Sequence, residues 1–251
     1  MKNRYLAAAL FLSAASFLSQ ARVETDPMPQ VNSSDFTTYI EAANSGSANA
    51  ERIVGDCYLT GVGVTQDVNK AWKWYAKAAG HGDLEARYRI ACLYRDGKGV
   101  RQNDAEAAYW FGRAAANGHA LAQLNIADCY AEGRGIQRDD RIASENFWRA
   151  ADRGVAEAAY RLAIMLRDGV GVDQNKPLAL KYFRQAADAN FADAALLAEF
   201  LEQQGVKMPS KSSQTKNSSV RKETKKVSKG SSRSKTNKSA KSTPKKKSKR
   251  K

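Results

Sequence analysis

The sequence predicts an all-α protein, a solenoid of about four helix-pair repeats that are each 36 residues long. Three features recur at that fixed spacing: a Gly-x-Gly frame, an aromatic residue and an Ala-Ala pair. The frames begin at Gly61, Gly97, Gly133 and Gly169; the aromatic residues are Tyr75, Phe111, Phe147 and Phe183; the alanine pairs begin at Ala78, Ala114, Ala150 and Ala186. Several columns that coincide at one spacing indicate a stacked-repeat architecture. Such proteins generally act by presenting a surface to a partner.

The first helix of a repeat is predicted from small and apolar residues at helical spacing. In the first unit these are Ala50, Val54, Gly55 and Tyr58, which lie on one face of a helix. Equivalent positions recur in the next two units. Gly61 is expected to end this helix, because glycine readily adopts the left-handed conformation found at helix C-termini.

The second helix is predicted to begin after a recurring Asp or Asn whose side chain can accept hydrogen bonds from the free amides of the first turn. These capping residues are Asp67, Asn103, Asp139 and Asn175. The apolar face then continues through Ala71, Tyr75, Ala78 and Ala79. The closing residues are Gly82, Gly118, Gly154 and, in the fourth unit, Asn190. Each repeat is therefore predicted as helix, glycine loop, helix and glycine turn.

Partial repeats are predicted at both ends of the solenoid. Residues 34–44 place Tyr39 and Ala42-Ala43 one period before Tyr75 and Ala78-Ala79, which predicts a lone helix of the second type. After the fourth repeat, apolar residues predict a final helix of the first type: Ala194, Leu197, Ala198 and Leu201. The other residues of this helix are polar, as expected of a terminal cap. The predicted solenoid spans residues 34–205.

These columns resemble the Sel-one-like repeat family. The run at residues 70–79, Lys-Ala-Trp-Lys-Trp-Tyr-Ala-Lys-Ala-Ala, is similar to the family pattern almost throughout. The third unit departs from it with Asn146-Phe147 in place of the aromatic pair, and the fourth has Met165-Leu166 where a tyrosine is expected. The resemblance implies a right-handed α-solenoid related to tetratricopeptide repeats. It also implies a protein-interaction scaffold, and members of the family are often bacterial and exported.

Catalytic and cofactor-binding patterns are missing from the sequence. The protein is therefore predicted not to be an enzyme and to bind neither a cofactor nor a metal. Gly61-x-Gly63 is not a dinucleotide fingerprint, because Gln66 stands where the third glycine is required and the frame follows a helix. The two histidines, His81 and His119, fall in different columns of the repeat, and we expect them to be solvated turn residues. No spacing suggests a catalytic triad or a metal-binding cysteine pair.

The three cysteines, Cys57, Cys92 and Cys129, are an odd number. Outside the cytoplasm, at least one thiol would therefore be free or bonded to another chain. The simplest interpretation is that all three are small buried apolar residues. A bridge from Cys92 to either of the other two remains open, because its geometry is not readable from sequence.

A partner-binding surface is predicted on the first helices, which line the concave side of helical-pair solenoids. The candidate residues lie in non-core columns of these helices: Tyr88, Arg89, Asn125, Asp128, Tyr160 and Arg161. Tyrosine and arginine are enriched at binding hot spots. The alternative is that the tyrosines pack between helices and the arginines form a solvated face.

The first 21 residues have the pattern of a secretory signal peptide. Lys2 and Arg4 precede an apolar stretch of about 14 residues, and small residues occupy the positions read by a signal peptidase. A membrane anchor is the alternative, but the stretch is shorter than the roughly 20 residues that span a bilayer. The prediction is an exported protein, periplasmic or secreted, with a linker over residues 22–33.

Residues 206–251 form a basic tail, with 18 Lys or Arg residues against the single acidic residue Glu223. The preceding residues are close to neutral, with 23 basic and 25 acidic residues. The tail has few apolar residues and is predicted to be disordered. Its charge would attract polyanions such as an envelope polysaccharide or nucleic acid. The residues assigned to this binding are Lys225, Lys226, Lys241, Lys245, Lys246, Lys247, Lys249, Arg250 and Lys251.

Two functions fit these features. The first is an exported, non-enzymatic adaptor that binds a protein through the solenoid and a polyanion through the tail. The second is a secreted effector that binds nucleic acid or enters a host nucleus by means of the tail, because residues 245–250 resemble a nuclear localisation cluster. Deletion of the tail separates the two hypotheses.

Overall fold

The computed structural model describes residues 33–209, and within this range the secondary structure consists of ten α-helices. They are α1 (Ser33–Asn44), α2 (Ala48–Thr60), α3 (Val68–Gly80), α4 (Leu84–Asp96), α5 (Asp104–Ala116), α6 (Ala120–Glu132), α7 (Asp140–Ala151), α8 (Ala156–Asp168), α9 (Lys176–Ala187) and α10 (Ala192–Gln203). The predicted all-α fold with its pairs of helices and capping helices is confirmed. The predicted signal peptide, the linker up to residue 32 and the basic tail from residue 210 lie outside the described residues.

The helix boundaries follow from the predicted capping residues. The side chain of Asp67 accepts a hydrogen bond from the amide of Lys70 at the start of α3, and Asn103, Asp139 and Asn175 cap α5, α7 and α9 in the same way. The backbone amide of Asp67 also donates to the carbonyl of Tyr58, at 2.8 Å. The same closure recurs in the other three repeats, so that one residue both ends the loop and begins the next helix.

The second glycine of the last three frames allows close contact between neighbouring repeats. Gly135 and Gly171 have positive φ angles of 69° and 66°. A Cβ atom at Gly135 would overlap the carbonyl oxygen of Asp104, and one at Gly171 would overlap that of Asp140. The loop of one repeat thus packs directly on the first turn of the preceding second helix. A side chain at either position would separate the two repeats.

The core is built from the aromatic and alanine columns. The four aromatic residues of the second helices, Tyr75, Phe111, Phe147 and Phe183, are at most 2% exposed. The alanine pairs beside them are buried as well, except that Ala187 is half-buried. Small residues facing large rings let the helix backbones approach closely, so that each ring fills the space between two helices.

Helix order along the chain is also the order in space. The principal contacts of each helix are with the helices immediately before and after it, as in a solenoid. At the C-terminal end, α10 leaves Leu196 and Phe200 exposed, because no further helix packs on it within the described residues. None of the described helices is long and apolar enough to cross a bilayer.

Candidate protein-interaction face

The first helices α2, α4, α6 and α8 carry two groups of charged side chains at equivalent places in the repeat. We call the group around Asp56 the N-terminal ion cluster and the group around Asp128 the C-terminal ion cluster. Each consists of an aspartate on one first helix and a Glu–Arg pair on the next. Asp56 and Asp128 are 72 residues apart, as are Arg89 and Arg161. The clusters therefore repeat every second unit.

The aspartate of the N-terminal ion cluster is held by three partners. Asp56 is 4% exposed, and its Oδ1 accepts a hydrogen bond of 2.6 Å from the hydroxyl of Tyr75. Its Oδ2 lies 3.0 Å from Nη1 of Arg52, one turn earlier in α2. Arg89 of the next repeat approaches from the other side, with 3.8 Å between Nε and Oδ1. Buried charge is tolerated here because it is paired and hydrogen-bonded.

The same cluster extends into the following repeats. Arg89 pairs with Glu85 at 2.9 Å, and Glu85 Oε2 lies 2.7 Å from Nε2 of His119. Arg52 also reaches Asp83 at 3.6 Å. The charges thus form a chain that runs from α2 through α4 to His119, the capping residue of α6. His119 is not the solvated residue that the sequence suggested, since only 13% of its side chain is exposed and its ring stacks on Tyr88 at 4.7 Å.

Gly55 explains how Tyr75 reaches Asp56. A Cβ at Gly55 would lie 2.6 Å from Cε1 of Tyr75, so the ring occupies the space that a side chain would take. The other three repeats have alanine at the position of Gly55 and phenylalanine at that of Tyr75. The glycine and the tyrosine therefore occur together in the first repeat, whereas the aspartate recurs as Asp128 without them.

The C-terminal ion cluster contains the same triad with fewer partners. Asp128 Oδ1 lies 3.2 Å from Nη1 of Arg161, and Nη2 of Arg161 donates to Glu157 at 3.2 Å. Asp128 is 9% exposed, and its buried Oδ1 accepts no hydrogen bond of good geometry. The ion pair with Arg161 is the one salt bridge that Asp128 makes among the described residues. This carboxylate is therefore less completely satisfied than that of Asp56.

The pKa values reflect this difference. Burial raises the pKa of Asp56, but the hydrogen bond from Tyr75 and the charges of Arg89 and Arg52 oppose the rise. Burial raises the pKa of Asp128 to about 7, against the opposing charge of Arg161. The negative charges of Glu157 and Glu132 raise it further. Asp128 therefore changes its charge near neutral pH.

The six residues predicted for partner binding lie along this face, and most of them already have partners within the protein. Tyr88 packs on Phe111 and His119, and Tyr160 packs on Phe183 and Phe191. Arg89 and Arg161 belong to the two ion clusters. Asn125 accepts a hydrogen bond from Arg95 at 2.9 Å. Five of the six are half-buried, and Asp128 is buried.

Several members of the clusters were not among the predicted residues: Arg52, Asp56, Tyr75, Asp83, Glu85, His119 and Glu157. The contacts that join different helices link residues 19 to 34 positions apart, so a search within one helix finds only their i,i+4 pairs. The available signal was the 72-residue spacing of the acidic and basic residues. The predicted polyanion-binding residues, Lys225 to Lys251, lie outside the described part of the chain.

The cysteines of the described region are all free thiols. Cys57 and Cys129 are buried and Cys92 is half-buried. Burial raises the pKa of each thiol, so the reactive thiolate is disfavoured. Within residues 33–209 no group of three or more potential ligands is arranged to hold a metal ion.

The match to known families follows the observed repeats. The model of the Sel1 repeat matches residues 48–83, 84–119, 120–155 and 156–191, which together make up more than half of the chain. The chain belongs to the Sel1 repeat family. Sel1 repeat proteins are generally protein-interaction scaffolds and are typically not enzymes. A comparison with curated proteins found no match.

Two solved structures share both the fold and about a third of the aligned sequence. One is c5321, a protective antigen of uropathogenic Escherichia coli with a Sel1-like repeat fold, which has 30% identity and a TM-score of 0.67 over 71% of this Sel1 repeat chain. The other is a Sel1 repeat protein of Oxalobacter formigenes, with 31% identity and a TM-score of 0.65 over 69%. The matched regions are only 39% and 50% of those two chains.

Proposed function

We propose that this Sel1 repeat protein is an exported, non-catalytic adaptor that binds a protein partner on the face formed by its first helices. The observation that carries the proposal is the pair of half-buried Tyr-Arg dipeptides, Tyr88-Arg89 and Tyr160-Arg161, at equivalent positions two repeats apart. A rigid solenoid holds such side chains at a fixed separation. Their packing within the protein reduces the entropy lost on binding.

Export is supported by the sequence of residues 1–21, which has the order of a signal peptide: basic start, apolar stretch and small residues. We propose that the mature chain begins near Arg22. The test is N-terminal sequencing of the protein after expression from its full gene, together with fractionation of cells and medium. An uncleaved N-terminus on protein retained in the cytoplasm would contradict export.

The basic tail supports a second contact of the adaptor, with an anionic polymer. Its excess of 17 positive charges in residues 206–251 favours binding by release of counterions. Two weak contacts on one chain together give a higher affinity than either alone. The adaptor hypothesis expects deletion of residues 207–251 to change the location of the protein while the partner stays the same.

The effector hypothesis uses the same tail and makes a different prediction. Tail deletion would then abolish retention on DNA or entry into a host nucleus. Retention on DNA and on an envelope polysaccharide, measured across a salt series with and without the tail, distinguishes the two. Equal behaviour of the two proteins would leave the solenoid as the sole functional element.

Partner binding itself is tested with a double variant of the two tyrosines, Tyr88→Ala and Tyr160→Ala. The purified protein and the variant are compared for recovery of proteins cross-linked in the producing cells. The matched control is Tyr109→Ala on helix α5, because Tyr109 is 52% exposed and belongs to a second helix. The proposal expects loss of a defined partner with the double variant alone. Loss with the control as well, or with neither protein, would contradict it.

A further inference from the structure

The residue that caps a first helix differs from repeat to repeat. At the starts of α2, α4, α6, α8 and α10 it is Ser47, Asp83, His119, Val155 and Phe191. The first three side chains accept a hydrogen bond from an amide of the first turn, and the last two make no such bond. A hydroxyl and a carboxylate remain acceptors at every pH near neutrality. A histidine does not, because an imidazole ordinarily takes up a proton between pH 5 and 8.

Both ring nitrogens of His119 make contacts, and together these contacts select one tautomer. Nδ1 accepts a hydrogen bond of 3.1 Å from the amide of Ala122, so this nitrogen carries no proton. Nε2 lies 2.7 Å from Oε2 of Glu85 and must carry the proton, because a carboxylate can only accept. The ring is then neutral. It is an acceptor towards α6 and a donor towards α4.

A second proton on the ring would strengthen one of these contacts and break the other. Burial raises the pKa of Glu85, but the hydrogen bond from His119 and the charge of Arg89 outweigh burial and hold that pKa below its ordinary value. Glu85 would therefore be ionised and would form an ion pair with the protonated ring. At Nδ1 the added N–H would face the N–H of Ala122, and two donors cannot share a hydrogen bond.

The charged groups near the ring come from two neighbouring elements. Glu85 and its partner Arg89 lie on α4. In the turn after α7, Nη1 of Arg153 donates to the carbonyl of Gly118, the residue next to His119. The ring also stands at the start of α6, where the helix dipole is positive. Glu85 favours a positive charge on the ring, whereas the two arginines and the helix terminus oppose it.

The uncharged surroundings connect the ring to the face formed by the first helices. Tyr88 stacks on the imidazole with 4.7 Å between the ring centroids. Burial raises the pKa of Tyr88, so its hydroxyl stays protonated near neutral pH. Helix α5 contributes the carbonyl of Ala114, which accepts the backbone amide of His119. A change at the imidazole is therefore transmitted to Tyr88 by direct contact.

We propose that His119 is a proton-sensitive helix cap, which releases the first turn of α6 when the ring takes up a proton and then holds Glu85 as an ion pair. Acidification thereby loosens the first turn of α6 beside Tyr88, while the helices remain folded. This exchange of contacts depends on the two bonds of one side chain. Its meaning for a protein partner, through Tyr88, rests on the proposed function.

The test follows the imidazole nitrogens and the backbone amides of the full chain by NMR between pH 8 and pH 5. At pH 8, His119 should show the single tautomer that carries its proton on Nε2. As the ring is protonated, the amide proton of Ala122 should move upfield with the same midpoint as the ring, because it loses its acceptor. Its solvent exchange, corrected for the intrinsic rate, should become about fivefold faster, the usual worth of a helix cap. The amide of Ala86 donates to Asp83 at 2.7 Å and should not respond.

Two variants separate His119 from His81, the other histidine of the chain. His119→Asn keeps a capping side chain that does not titrate, so the amide of Ala122 should no longer respond to pH. His81→Asn is the matched control. The side chain of His81 is 53% exposed and contacts Glu51, so its replacement should leave the response of Ala122 unchanged. Circular dichroism of each variant at pH 8 and pH 5 checks that it is folded.

The inference is overturned if His119 carries its proton on Nδ1 at pH 8, or if the amide of Ala122 does not follow the ring. It is also overturned if the response persists in His119→Asn or disappears in His81→Asn. Failure of this test and failure of the proposed function are distinguishable, because the NMR experiment contains no partner. A partner lost with the tyrosine double variant would preserve the adaptor without the switch. A titrating cap with no cross-linked partner would preserve the switch without the adaptor.

Discussion

The N-terminal and C-terminal ion clusters share a backbone frame and a charged triad, yet their central aspartates have different numbers of partners. Asp56 is held by a tyrosine hydroxyl and two arginines, whereas Asp128 is paired with one arginine. The comparison shows that a repeat column does not fix the role of a residue. The groups contributed by neighbouring repeats decide how many hydrogen bonds and ion pairs a buried acid has.

The largest expected effect comes from breaking the complete cluster. Asp56→Asn removes the charge shared by Arg52 and Arg89 and should lower the free energy of unfolding by about 3 kcal/mol, because breaking a buried ion pair leaves uncompensated charge. Asp128→Asn should cost much less at the same pH. Urea unfolding of the two variants at pH 8 measures the difference. Equal losses would mean that the two clusters are energetically alike.

The next largest effect of a substitution at fixed pH concerns the glycine beneath Tyr75. Gly55→Ala places a Cβ 2.6 Å from the tyrosine ring and should lower the free energy of unfolding by about 2 kcal/mol through overpacking. The reverse change in the third repeat, Ala127→Gly, should cost about 1 kcal/mol from helix propensity and lost packing alone. Thermal unfolding of the Gly55→Ala and Ala127→Gly variants measures the two losses of stability. A harmless Gly55→Ala would show that the ring can move aside without loss.

The pH dependence of stability separates the clusters further. The pKa of Asp128 is about 7 in the folded protein and about 3.9 in an unfolded chain, so the folded state binds this proton more tightly. Its contribution to stability is complete below about pH 4 and is lost as pH rises towards about 7. Relative to Asp128→Asn, the wild type should therefore lose on the order of 3 kcal/mol of unfolding free energy between these values. Parallel curves for the two proteins, from urea unfolding at a series of pH values, would contradict the raised pKa.

The smallest expected effect tests the outer end of the complete cluster. His119→Phe copies the residue found at Phe191 and removes the contact with Glu85 and the hydrogen bond from the amide of Ala122. It should lower the free energy of unfolding by about 1 kcal/mol, the usual size of a lost helix cap. The stacking on Tyr88 is retained in this variant, so a much larger loss would show that the ring contact had been underestimated.

Sequence periodicity predicted the helices and their boundaries well, because each boundary depends on one local residue. Asp67 and its equivalents cap a helix wherever the 36-residue frame places them. The ion clusters were not predicted, since the contact between Asp56 and Arg89 depends on how adjacent repeats are rotated against each other. The same limit applies to His119, whose burial comes from Tyr88 and Glu85 on helix α4, about 30 positions earlier in the chain.

The first-helix residues proposed for binding illustrate a further limit. Tyr88 and Tyr160 occupy one column, but one stacks on a histidine and the other packs on a phenylalanine. The repeat column predicted that a tyrosine lies on the face formed by the first helices. It could not predict which residues pack against the tyrosine ring. For the same reason Asp128, predicted from its column to lie on the binding face, is buried in the structure.

Because each helix contacts mainly its neighbours in the chain, protection of backbone amides from solvent hydrogen exchange should vary along the solenoid. The last two first-type helices, α8 and α10, lack a side-chain cap, and α10 has an uncovered outer surface. Opening should therefore begin at α10 and spread towards α8, which carries Arg161 and Glu157. Any contact that covers the outer surface of α10 should slow exchange in α8 to α10, and this slowing would be measurable even where no helix changes position.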